Sequence, residues 1–90
     1  MDRFRWNDFA LDKVAKHGLG PDEVESAFDD ALPGYPKRHG GDDAFILIGT
    51  THAGVMIQAI FLIDPPPFIW VFHARPLNES ERRRHRRKGR

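Results

Sequence analysis

Cysteine is absent from this chain, so neither disulfides nor thiolate metal sites can hold it together. Long hydrophobic runs are also missing. The most apolar stretches, near residues 55–63 and 68–72, are too short for a membrane helix. The start, Asp2 to Arg5, is charged and shows no apolar signal-peptide region, so a cytoplasmic protein is expected, with no membrane partner. The five histidines, His17, His39, His52, His73 and His85, show no metal-ligand spacing. No glycine-rich phosphate loop opens a helix, and Gly40-Gly41 is flanked by acids at Asp42 and Asp43. Nor is there a serine-centred nucleophile elbow. No metal and no cofactor are therefore expected.

What is present is a chain of 90 residues, the length of one domain, 1–90, with room for a modest core. Seven Phe and two Trp are the natural anchors of that core. Charge is unevenly spread. Seven of the fourteen Lys/Arg fall in residues 82–90, a basic helix end or tail that carries a formal +7. Residues 1–81 carry −6, and the overall +1 hides the separation. Such a block repels itself and seeks an anionic partner: nucleic acid, an acidic protein or an anionic surface. A membrane surface fits less well, because the segment offers no apolar face to bury. If about five of these charges engage single-stranded RNA, log K falls against log salt with a slope of roughly −3.5.

The apolar pattern predicts an α+β order. Phe4 and Trp6 alternate with arginines as a brief strand. Asn7 caps a helix whose stripe is Phe9, Ala10, Val14 and His17, and Gly18 ends it. Pro21, Asp22 and Glu23 start a second helix with Val24, Ala27 and Phe28 inward. Residues 31–43 read as loop, with a short strand near Tyr35 to Arg38. Ala44 to Thr51, Val55 to Ile63 and Phe68 to Ala74 read as strands joined by short connections, which predicts an antiparallel sheet of three to four strands. The middle strand is so apolar that both its faces should be covered. A last, basic helix begins at Asn78, with Glu81 placed for a capping box.

Several residues carry candidate chemistry. His17 is open to two roles: proton transfer or phosphate contact, since imidazole titrates near ~6.5, or simple closure of the first helix against the next turn. Lys13 and Lys16 share its helical edge; a solvated surface is the ordinary role of such lysines, and Lys16 is also placed to assist His17. Period-two alternation puts Ile69, Val71, His73 and Arg75 on one face of the last strand, and Phe68, Trp70, Phe72 and Ala74 on the other. Arg75 has the fork geometry to grip a phosphate, or to pair with a helix carboxylate such as Asp29 or Asp30. His73 either joins that site or is a half-buried polar residue.

Trp6, Lys16-His17-Gly18, Pro21-Asp22-Glu23-Val24 and Phe28-Asp29 together resemble the opening of the BrnT toxins. Gly49-Thr50-Thr51, His52-Ala53-Gly54-Val55, Ala74-Arg75-Pro76 and Glu81-Arg82 follow in the places of that family's later motifs, so the resemblance covers most of the chain. It implies a RelE-like fold with two N-terminal helices and one basic C-terminal helix, and the activity of a bacterial type II toxin–antitoxin ribonuclease cutting RNA without a metal. On that resemblance Arg75 stabilises transition-state charge, His17 transfers a proton or contacts phosphate, and Lys16 assists. Arg82, Arg83 and Arg86 position RNA. The implied partners are RNA, a cognate antitoxin of ribbon-helix-helix or other DNA-binding type, and operator DNA through the antitoxin complex. This chain departs from the pattern at Thr50 and Val55, where the family has arginine, at Trp70, where a basic residue is common, and at His85, where Tyr is frequent. Those losses leave a second expectation open: a module that keeps the fold and binds nucleic acid or antitoxin without cutting.

Overall fold

The computed structural model describes residues 2–40 and 43–88, with the side chains of residues 86–88 left outside the description. The elements run β1 (Phe4–Arg5), α1 (Asp8–Lys16), α2 (Pro21–Phe28), β2 (Lys37–Arg38), β3 (Phe45–Thr50), β4 (Met56–Ile63), β5 (Ile69–Pro76) and α3 (Glu79–Lys88). The fold is α+β, as the pattern predicted. The sheet differs from the prediction: it has five strands in the order β1-β5-β4-β3-β2, and it is mixed. β1 lies parallel to β5, whereas the other pairs are antiparallel. The parallel partner is supplied by the far end of the chain, and no local turn in the sequence announces it.

Local chemistry sets the helix ends. The Asn7 side chain accepts from the Ala10 N–H at 2.8 Å. Gly18 follows α1 with φ +76°, a left-handed conformation that lets the chain reverse directly after His17. Pro21 sits in the first turn of α2, and the Glu23 carboxylate accepts from the Gly20 N–H at 3.2 Å. At α3 the predicted capping box is present in both directions: Glu81 N–H donates to Asn78 Oδ1 at 2.8 Å, and Asn78 N–H donates to Glu81 Oε1 at 2.9 Å.

Helices α1 and α2 cover one face of the sheet. Val14, Leu19, Val24 and Ala27 meet Leu47, Ile57, Ala59, Phe61, Val71 and Ala74 in a single buried cluster. Phe61 is its centre, edge to face with Phe28 and stacked on Phe45. The opposite face is different. Along β4, Ile57, Ala59 and Phe61 are buried while Gln58, Ile60 and Leu62 are only half-buried. The expectation that both faces of this strand would be covered holds fully on the side that α1 and α2 close and only in part on the other.

A bulge in β5 resets the last strand. Phe61 is opposite Val71, but Ile60 is opposite His73, so Phe72 is an extra residue. Simple alternation fails at that point. Ile69, Val71 and Ala74 belong to the helix-covered face. Trp70, His73 and Arg75 stand opposite Leu62, Ile60 and Gln58, on the other face.

Candidate functional site

α1 packs along β5, held by buried Ala10 and Val14. One turn of helix then places Lys13 and His17 on the flank nearest the strand. β1 pairs only with Ile69 and Trp70, so it stops short of His73. Into that place comes His17. The His17 and His73 rings meet edge to face, with centroids 5.9 Å apart. His17 is exposed and His73 half-buried. Burial pushes the His73 imidazole below its ordinary value, and the neighbouring Lys13, His17 and Arg75 push the same way. His73 is therefore neutral near pH 7 and able to accept a proton.

Arg75 lies beside this pair but turns its fork elsewhere. Nη1 donates to Glu81 Oε1 at 2.8 Å and to the Pro76 carbonyl at 3.2 Å. Nη2 donates to Glu81 Oε2 at 2.9 Å and to Gln58 Oε1 at 3.4 Å. This is a bidentate ion pair linking β5, β4 and α3. Its partner is Glu81, not Asp29 or Asp30. The Arg75 guanidinium holds the Glu81 carboxyl down to about 2, and hydrogen bonding to Glu81 in turn raises Arg75. The donors that would hold a phosphate are thus engaged within the chain.

The remaining predicted residues fall in two places. Lys16 is exposed next to His17 at the end of α1. Arg82 lies at a cleft of about 510 Å³ with Thr50, Gly54, Val55 and Met56, and its Nη1 donates to the Leu77 carbonyl at 3.0 Å. Thr50 and Val55, two positions where arginine was expected, therefore line a cleft whose cation comes from α3. Arg83 is exposed, with Glu79 3.8 Å away one helical turn back. The Arg86 side chain lies outside the described residues, as do Gly89 and Arg90 at the end of the basic segment and Gly41 in the acidic loop. Among the described residues no group of three or more His, Cys, Asp or Glu side chains is placed to hold a metal ion. No described helix is long and apolar enough to cross a membrane.

No protein-family model matches the chain, and no curated protein matches it. What the arrangement can do chemically therefore rests on its own groups. A neutral imidazole and a second imidazole stand together, with lysines on one side and a buttressed arginine on the other. His73 is the residue the sequence undervalued. Its signal was the His-x-Arg spacing at the end of a strand, but alternation assigned it to the wrong face because nothing local marked the bulge.

Proposed function

We propose that the chain is a metal-independent endoribonuclease, acting as the toxin of a type II toxin–antitoxin pair similar to BrnT. The observation that carries this reading is the contact between His17 and His73. Cleavage by the RNA's own 2′-hydroxyl needs a base on one side of the phosphorus and an acid on the other. His73, held neutral by burial and by its cationic neighbours, takes the 2′-hydroxyl proton. The oxygen then attacks the adjacent phosphorus, and the bond to the 5′-oxygen breaks. His17 is assigned the proton delivered to that leaving oxygen. A 2′,3′-cyclic phosphate and a free 5′-hydroxyl result. Lys13 and Lys16, on the same helical edge, offset charge on the phosphorane. Arg75 keeps the strand end and α3 together beside His73, while Arg82, Arg83 and Arg86 offer α3 to the RNA backbone. An antitoxin covering this edge, with operator DNA bound by the complex, and a cytoplasmic location belong to the same proposal.

The test is incubation of the purified chain with end-labelled single-stranded RNA and with ribosome-bound message, in the presence of a chelator. Fragments ending in cyclic phosphate support the reading. Binding without any fragments supports the second one, a nucleic-acid or antitoxin-binding module. That alternative is favoured by the Arg75 fork being occupied by Glu81 and by the missing cations at Thr50 and Val55.

A further inference from the structure

We propose that Trp70, with Arg5 and Phe68 beside it, is a stacking platform for a base of single-stranded RNA on the sheet face that α1 and α2 leave open. The inference rests on the RNA reading above and adds to it a binding subsite for the nucleobase.

Trp70 is one of the few large apolar side chains that stand well exposed, at 38%. A single exposed aromatic is ordinary on a protein surface. Three features separate this one. First, its ring is fixed: Nε1–H donates to the Asp64 carbonyl at 3.1 Å, which anchors one edge. A ring held in place loses little rotamer freedom when a base stacks on it. Second, a cation and another ring adjoin it. Arg5 is its register partner across the β1–β5 pair, and the Arg5 guanidinium carbon lies 4.3 Å from the Phe68 ring centroid. Arg5 is itself held, Nη1 donating to the carbonyls of Asp2 and Phe4 at 3.0 and 2.9 Å. Aromatic and guanidinium planes are the groups on which nucleobases stack without regard to sequence. Third, the platform is aligned with the histidines. Trp70 is opposite Leu62 and His73 opposite Ile60, two register steps apart, or about 7 Å along the strand. That step suits a base on Trp70 and its neighbouring phosphate at His73.

Charge favours RNA over an apolar protein segment as the occupant. Cations stand at both ends of the track, Arg5 at one and, beyond the Arg75–Glu81 pair, Arg82 at the other, with Leu62 and Ile60 only half-buried between them. The surface along β5 thus offers an aromatic plane, then the two imidazoles, then the Arg82 cation of α3, in the order an extended strand of RNA would meet them.

The full chain can be titrated with a 2′-O-methyl octaadenylate, which lacks the nucleophile and cannot be cut, while tryptophan emission and the anisotropy of a labelled oligomer are followed. Binding should quench part of the emission, leaving the share from Trp6, whose Nε1 is bonded to Glu25. Trp70→Ala should abolish the quench and weaken binding roughly tenfold, while Trp70→Phe, which keeps a ring, should stay within about threefold of the wild type. Inorganic polyphosphate, which has no bases, should bind wild type and Trp70→Ala alike. Equal oligomer affinity in wild type and Trp70→Ala would overturn the platform, and so would an equal loss of polyphosphate binding in that variant. If the wild type cuts RNA and Trp70→Ala binds and cuts as well, the platform falls and the ribonuclease reading stands. If no oligomer binds the wild type, both fall.

Discussion

His17 and His73, from opposite ends of the chain, meet edge to face with ring centroids 5.9 Å apart. One is brought by the C-terminal end of α1, the other by a bulged edge of β5. Neither element alone brings the two rings together; their packing does.

The depressed pKa of His73 gives stability a pH dependence. The folded chain binds this proton less tightly than the unfolded chain, whose histidine titrates near ~6.5. Above ~6.5 the residue is neutral in both states and costs nothing. As pH falls below ~6.5 the unfolded chain takes up the proton first, so stability declines until pH passes the lower folded value. The urea midpoint of wild type should fall over this window, whereas that of His73→Gln should lack this component. A wild-type midpoint flat from pH 7 to 5, relative to the variant, would contradict a perturbed His73.

The Arg75–Glu81 pair predicts the same pH sense for α3, in a more acidic window. The Glu81 carboxyl is held down to about 2, so its contribution is present in full above its unfolded value near ~4.5 and is lost as pH falls through about 2. Amide exchange along α3 should stay slow at pH 3 in the wild type. Glu81→Gln should speed it at least severalfold, since it removes the negative charge that the Arg75 fork grips. Unchanged exchange would mean that α3 is held by other contacts.

Gly49 is a packing requirement. A Cβ there would collide with the Ala27 carbonyl oxygen and crowd that of Asp30 at 3.1 Å, where the end of α2 crosses β3. Gly49→Ala should cost about 2–3 kcal/mol in urea unfolding. Phe61→Ala, at the centre of the core, should cost about 3–5 kcal/mol. A Gly49→Ala protein as stable as the wild type would show that α2 can shift away from the strand.

Much of this fold was legible because its determinants are local. Asn7, Gly18, Pro21 and the Asn78–Glu81 box mark helix ends through bonds made within a few residues. The three long strands declared themselves by composition, and Gly54 has the positive φ expected of its turn. What was not legible depends on distant partners. The parallel pairing of β1 needs a strand that is made from residues 69 and 70. The bulge at Phe72 moved His73 and Arg75 away from Val71's face, and with them the logic of the site. Arg75 was identified as a forked donor, and Glu81 as a capping residue, yet their union needed the path of the chain between them. The capping role that fixes Glu81 also turns its carboxylate toward Arg75.

The most direct measurement compares RNA cleavage by wild type, His17→Ala, His73→Ala and the double variant, all checked for folding by circular dichroism. If the two imidazoles act as one acid–base unit, each single change should lower kcat by about a hundredfold or more, and the double variant should be little worse than either single one. Cleavage at the wild-type rate in either single variant, or penalties that simply multiply in the double, would contradict a shared site between α1 and β5.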